Sequence, residues 1–130
     1  MNPYDWIDAF LLSMPGAVSD FKEEWQWQRY LVGGKMFAAL MHPSSKYDPM
    51  YAEKDIVNLK SDPMLAELLR AKYPGAVMPG FYTDKRCWNS VDLGADIPED
   101  ELKQMCEESY RLVFEKLTKK LQHEILEGTK

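Results

Sequence analysis

The strongest constraint on the fold is a pair of glycines, Gly33-Gly34, that separates two extended apolar patterns. Apolar and polar residues alternate from Trp25 to Leu31, and an extended pattern resumes from Lys35 to Met41. Two consecutive glycines supply the positive φ angles that a tight antiparallel connection needs. The sequence therefore predicts a β-hairpin, and with it an antiparallel sheet.

Apolar spacing and turn residues divide the rest of the chain into further elements. These are a helix from Asn2, a strand at Ile56 to Lys60, a helix opened by Asp62-Pro63, strands at Ala76 to Tyr82 and Cys87 to Leu93, and a long helix from Pro98 to Leu121. Their order, α-β-β-β-α-β-β-α, lacks regular βαβ alternation. It predicts an α+β domain with a mainly antiparallel sheet of about five strands covered by three helices.

Size and composition indicate one domain over residues 1–130, because 130 residues with 45% hydrophobic content can form a single core. No run of about 18 apolar residues occurs, and the N-terminal residues lack a basic and apolar leader. We therefore expect a soluble, cytoplasmic protein without a membrane role. Cys87 and Cys106 have no metal-ligand spacing, which predicts reduced thiols, no metal and no cofactor.

The charge balance restricts the nucleic-acid hypothesis. A net charge of −5 opposes strong sequence-independent binding to DNA, because such binding depends on cations that neutralise phosphates. Much of the acidity lies in the C-terminal part, whereas several cations lie in the strand-rich part before it. DNA contact would therefore require a local basic patch. An ordinary solvated surface explains the same charges.

The segment from Pro79 to Val91 carries the most informative polar chemistry. Lys85 offers a point charge, Arg86 a planar fork for phosphate or carboxylate oxygens, Trp88 a stacking face and Asn89 both a donor and an acceptor. Strand alternation, however, places Trp88 and Asn89 on opposite faces. The alternative interpretation makes Trp88 core, uses Asn89 to satisfy loop backbone and leaves the two cations as solvated turn residues.

Other candidate contacts are weaker. Lys35 at the hairpin end could act as one wing contact, and Lys60 at a strand end could add positive charge, although the pattern at Lys60 favours a solvated terminal lysine. Trp25 and Trp27, predicted to share a strand face, suggest either a stacking platform for single-stranded nucleic acid or core packing. No GxSxG, HExxH or Walker pattern occurs, and His42 lies in a predicted loop, so no enzymatic activity is expected.

Several blocks, in order, resemble the MmcQ/YjbR family over nearly the whole chain. The matching blocks are Gly33-Gly34-Lys35-Met36-Phe37-Ala38, Leu59-Lys60-Ser61-Asp62-Pro63, Tyr73-Pro74-Gly75, Pro79-Gly80, Lys85-Arg86-x-Trp88-Asn89, Pro98-Glu99-Asp100-Glu101-Leu102 and Glu108-Ser109-Tyr110. The resemblance implies a CyaY/frataxin-like sandwich in a small cytoplasmic protein. It also implies DNA contact of a double-wing type.

The sequence and the resemblance together predict a non-enzymatic binding module with weak, salt-sensitive DNA binding. The predicted contact residues combine cations, a ring and an amide: Lys35, Lys60, Lys85, Arg86, Trp88 and Asn89. The alternative is a module that binds a protein or a small anionic or phosphate ligand through the same segment. The acidic pI of about 5.0 suits that alternative better than a polyanion.

Overall fold

The computed structural model describes residues 5–128, which form one six-stranded antiparallel sheet and four helices. The helices are α1 (Asp5–Leu12), α2 (Pro63–Lys72), α3 (Glu99–Phe114) and α4 (Lys119–Gly128). The strands are β1 (Val18–Lys22), β2 (Trp27–Val32), β3 (Lys35–Met41), β4 (Ile56–Lys60), β5 (Val77–Pro79) and β6 (Trp88–Asp92), in the sheet order β1-β2-β3-β4-β6-β5. None of the helices in the described range has the length and apolar composition needed to cross a lipid bilayer.

The predicted α+β class with an antiparallel sheet is confirmed, but the predicted five strands and three helices are wrong. The CyaY/frataxin-like order also fails to match in detail, because a further strand follows α1 and a further helix follows α3. The predicted start of the first helix at Asn2 lies outside the described residues. Asp62 caps α2 as predicted, and its carboxylate accepts a hydrogen bond from the Met64 N–H at 3.0 Å.

The extra strand, β1, escaped prediction because it is an exposed edge. Its residues Val18 to Phe21 are all exposed, so no alternation of buried and exposed residues marks them. Pairing with β2 holds it in place, and Asp20 lies opposite Arg29 in the ladder. Their side chains form an ion pair of 2.6 Å, in which the guanidinium lowers the pKa of Asp20.

The long predicted C-terminal helix is divided by a short turn at residues 115–118. Thr118 caps the N-terminus of α4, because its hydroxyl accepts a hydrogen bond from the Leu121 N–H at 3.1 Å. Gln122 donates to the carbonyls of Glu115 and Leu117 at 3.3 and 2.9 Å, which satisfies groups that α3 leaves unpaired. Capping chemistry therefore breaks the helix without a proline or glycine.

The sheet has a separate apolar cluster on each face. The larger cluster lies beneath the helices and contains Tyr30, Phe37, Val57, Val91 and Cys106, all of which are fully buried. The second cluster lies on the other face, where loops instead of helices cover the strands. Its members are Trp27, Ala39, Met41, Tyr51, Ile56, Met78 and Phe81. The helix-free face therefore has its own core, built partly from loop aromatics.

The predicted hairpin is confirmed, and α4 packs against its turn. Gly33 and Gly34 both have positive φ angles, of +57° and +80°. A Cβ atom at Gly33 would lie 2.7 Å from Leu117 Cδ1 and 3.1 Å from Leu121 Cδ2, whereas one at Gly34 would meet no atom within 4 Å. Backbone conformation therefore demands glycine at both positions, and packing demands it only at Gly33.

Substitution of these two glycines should separate the two demands. Gly34→Ala should lower the free energy of unfolding by about 1–2 kcal/mol, the cost of a left-handed alanine. Gly33→Ala should cost a further ~1–3 kcal/mol, because its methyl group overlaps the side chains of Leu117, in the turn before α4, and Leu121, in α4. Urea unfolding of both variants measures the difference. Equal losses would show that α4 does not constrain the turn.

Candidate functional site

Three of the predicted contact residues lie at the same end of the sheet. Lys60 ends β4 directly opposite Trp88, which begins β6. Lys35 begins β3, the other neighbour of β4, and is exposed. The start of one strand meets the end of its antiparallel neighbour, so the three positions share this end. Lys35 and Trp88 remain separated by the whole width of β4.

The adjacent cations Lys85 and Arg86 have different surroundings. Lys85 donates through Nζ to the Gly80 carbonyl at 2.7 Å, and its ammonium lies 6.0 Å from the centre of the Tyr51 ring. Arg86 is 86% exposed and pairs with Asp84 at 3.2 Å, which raises the pKa of the guanidinium and lowers that of the carboxyl. Lys85 therefore braces its own loop, whereas Arg86 projects into solvent.

Asn89 holds β6 against helix α2. Its side chain is only 2% exposed, accepts from Arg70 Nη1 at 2.8 Å and donates to the Ala66 carbonyl at 3.2 Å. Arg70 Nη1 also donates to the Lys85 carbonyl at 3.1 Å. The amide of Asn89 is thus engaged inside the protein, on the face opposite the side chain of Ser90.

A cleft of about 730 Å³ opens on the loop-covered face of the sheet. It lies between the β1–β2 turn, the loop that follows β3 and the loop that follows β5. Five aromatic side chains line it, together with several polar groups and one proline. The lining residues are Glu24, Trp25, Gln26, Trp27, Met36, Met41, His42, Pro43, Ser44, Lys46, Tyr47, Phe81, Tyr82 and Thr83.

The β1–β2 turn forms the first wall. Trp25 lies in this turn and is 55% exposed, whereas Trp27 begins β2 and is 7% exposed, so the predicted common strand face is wrong. The cause is Gln26, whose φ of +59° places it in the left-handed region between the two rings. The rings still meet edge to face at 5.5 Å and border the cleft together.

The second wall is the backbone of Phe81, which two buried side chains fix. The Phe81 N–H donates to Ser90 Oγ at 2.9 Å, and the Phe81 carbonyl accepts from Asn58 Nδ2 at 2.9 Å. The Ser90 hydroxyl in turn donates to Asn58 Oδ1. Asn58 and Ser90 are opposite each other on β4 and β6 and both have 0% exposure. Their side chains replace the strand partner that Phe81 lacks.

The third wall is the loop of residues 42–55. Tyr51 donates its hydroxyl to the Pro79 carbonyl at 2.7 Å and is 7% exposed. At the base of the loop, His42 Nδ1 lies 2.9 Å from Asp55 Oδ1, and this contact raises the pKa of the imidazole. Within this loop the Tyr47 N–H donates to the Ser44 carbonyl at 3.1 Å, and the Tyr47 ring lies 5.3 Å from that of Phe81.

Tyr82 stands at the rim of the cleft in a strained conformation. Its φ is +54°, and its side chain is 70% exposed while its ring contacts those of Phe81 and Tyr47 at 4.6 and 5.9 Å. A non-glycine residue in the left-handed region costs about 1–3 kcal/mol. Tyr82 and Gln26 both carry this strain, and both line the cleft. The third non-glycine residue with a positive φ in the described range, Glu53 at +62°, does not line the cleft.

The cleft uses part of the segment that the sequence analysis singled out, but not the predicted contact residues. The lining residues Phe81, Tyr82 and Thr83 belong to the Pro79 to Val91 segment, where the pattern indicated the end of a strand at Tyr82 and a turn from Thr83. One signal was available, since aromatic residues are unusually frequent beside the turn and loop residues of 43–51 and 79–83. The partners of these aromatics lie far away in sequence, so the cleft itself was not visible.

The different roles of Lys85 and Arg86 predict different effects of the same substitution. Lys85→Met should lower the free energy of unfolding by about 1 kcal/mol, because the Gly80 carbonyl loses its donor. Arg86→Met is the matched control and should leave stability unchanged, since its ion pair is exposed. Urea unfolding at neutral pH measures both. Equal effects of the two substitutions would contradict the bracing role of Lys85.

Comparison with known proteins identifies the family. The chain is 31% identical over 99 residues to the uncharacterised protein YbdF of Escherichia coli O157:H7, covering 76% of this chain and 74% of YbdF. It is 26% identical over 102 residues to YjbR of Escherichia coli K12, covering 78% and 79%. The crystal structure of Deinococcus radiodurans protein DR2400 superposes with a TM-score of 0.79 at 26% identity, covering 96% of this chain and 88% of that one. The YjbR family model matches residues 12–112, so the chain belongs to the YjbR family.

Proposed function

We propose that this protein is a non-enzymatic binding module that holds a small organic ligand with a flat, largely apolar group. The observation that carries the proposal is the cleft of about 730 Å³ lined by five aromatic side chains. Its volume falls within the range of about 300–1,000 Å³ that is typical of small-molecule sites. The proposal keeps the binding role predicted from the sequence and moves the ligand from the cations of the segment to its aromatic residues.

The geometry of the walls supports binding by ring stacking. Trp25 and Tyr82 are exposed at 55% and 70% and both line the cleft, so their rings are accessible to a ligand. Beneath them, Trp27 and Phe81 are each 7% exposed and present apolar surface. A flat ligand that covers these rings would gain apolar burial and aromatic contacts at once.

Ligand binding should be detectable through thermal stability. A panel of planar organic compounds, from indoles to heteroaromatic acids and amines, should contain members that raise Tm. The stabilisation should reach about 2.7 kcal/mol at a ligand concentration of 100 times Kd. If no compound in a broad panel raises Tm, and calorimetry of the same panel detects no heat of binding, the proposed function is wrong.

Substitution of Tyr82 should separate binding from folding. Tyr82→Gly removes the ring and also relieves the positive φ, so the free energy of unfolding should stay within about 1 kcal/mol of the original. Affinity for a ligand from the panel should fall about tenfold, the value of one lost aromatic contact. Tyr82→Phe keeps the ring and is the matched control. Unchanged affinity in the glycine variant would remove Tyr82 from the site.

A second candidate function is DNA contact at the end of the sheet that carries Lys35, Lys60 and Trp88. The supporting observation is that Lys60 and Trp88 lie directly opposite each other, with the exposed Arg86 two residues before Trp88. The Lys85 ammonium is bound to the Gly80 carbonyl and the Asn89 amide is buried, so this proposal rests on the other four predicted residues. The net charge of −5 favours weak binding.

Salt titration tests the DNA proposal directly. Short duplex and single-stranded DNA should bind only at low salt, and Arg86→Ala should weaken binding and reduce the salt slope by about 0.9. Lys120→Ala, which removes an exposed charge on α4, is the matched control and should change nothing. Absence of binding at low salt, or equal effects of the two substitutions, would contradict DNA contact at this end of the sheet.

A further inference from the structure

The lining of the cleft holds one acid and one lysine, Glu24 and Lys46, and neither forms an ion pair within the described residues. Glu24 lines the wall formed by the β1–β2 turn. His42, on the facing wall, lies 2.9 Å from Asp55 and 3.7 Å from Glu53. Two carboxylates therefore outweigh even a protonated imidazole, so His42 brings no net positive charge to the cleft.

Lysines of the chain itself already contact two of the lining rings. Lys22 Nζ lies 5.8 Å from the centre of the Trp25 ring, and Lys46 Nζ lies 5.3 Å from that of Tyr47. An ammonium within about 6 Å of a ring centre is attracted by the negative face of the π system. Two of the five lining rings therefore already interact with a cation of the chain. Lys46 itself lines the cleft, whereas Lys22 does not.

We propose that the ligand of the cleft is a cation, in which a flat apolar group carries an ammonium or a similar positively charged nitrogen. This inference rests on the proposed function and names the ligand class of the same site. The aromatic faces would attract the charged nitrogen, and the Glu24 carboxylate would neutralise it. An anionic ligand would instead have only Lys46 as a lining lysine and would gain no attraction from the ring faces.

The proposal assigns opposite effects to two lining residues. Glu24 attracts the charged nitrogen, so its loss should weaken binding. Lys46 is the lining residue that opposes a cation, so its loss should strengthen binding. Glu23 supplies a matched control, because it carries the same charge one position away and does not line the cleft.

The decisive experiment compares three probes with nearly the same shape and different charge. Tryptamine is cationic, tryptophol is neutral and indole-3-propionate is anionic. Calorimetry at low salt should show tryptamine binding about tenfold tighter than tryptophol, with indole-3-propionate the weakest. Glu24→Gln should weaken tryptamine binding about threefold to tenfold and leave tryptophol binding unchanged. Lys46→Gln should strengthen tryptamine binding, and Glu23→Gln should have little effect.

The outcomes distinguish this inference from the function on which it rests. Equal affinity for tryptamine and tryptophol, with no effect of Glu24→Gln, would overturn the cationic ligand and leave the cleft as a binding site. Tightest binding of indole-3-propionate would overturn it as well. Binding of none of the three would also overturn it, and the wider compound panel would then decide separately whether the proposed function stands.

Discussion

The cleft depends on how the chain satisfies three successive carbonyl groups where β5 ends. Ladder pairing of β5 stops at Pro79, so the carbonyls that follow need donors from elsewhere. A buried carbonyl without a donor costs about 1–3 kcal/mol. The Pro79 carbonyl accepts from the Tyr51 hydroxyl in the loop of residues 42–55. The Gly80 carbonyl accepts from the Lys85 ammonium in the turn before β6, and the Phe81 carbonyl accepts from the Asn58 amide on β4. These bonds determine the course of the backbone that carries Phe81 and Tyr82.

This fixed backbone explains why the strain at Tyr82 persists. The N–H and the carbonyl of Phe81 are both bound by buried side chains, and Tyr82, the next residue, has a positive φ. Strained residues survive where their surroundings over-determine them. Gln26 is held similarly, since its N–H donates to the Lys22 carbonyl at 2.7 Å and its side-chain amide donates to the Glu23 carbonyl at 2.9 Å. Walls that are ordered before binding reduce the entropy lost when a ligand is bound.

Local chemistry made part of the structure predictable. Gly33-Gly34 and Asp62-Pro63 act on their neighbours, and both predictions were confirmed. Strand β1 was missed because its stability comes from pairing with β2 and not from burial. The polar residues of the central segment were chosen for their chemistry, yet Asn89 bonds to Arg70 and to backbone 23 residues away. Such partners are set by tertiary structure, so sequence alone could not distinguish a contact residue from one that holds the fold.

The arginines bear on the choice between the two proposed ligand chemistries. Planar, bidentate recognition of phosphate depends on arginine more than on lysine. All four arginines of the chain lie in the described range, and each has a side-chain partner within the chain. The pairs are Arg29 with Asp20, Arg70 with Asn89, Arg86 with Asp84, and Arg111 with Glu108 and Glu115. To bind phosphate, Arg29, Arg70 and Arg111 would have to give up these partners, and the exposed Arg86 would have to exchange its exposed ion pair with Asp84. The exposed ring of Tyr82 has no cation of the described residues near its face, so we propose a ligand recognised by stacking in preference to one recognised by phosphate contacts.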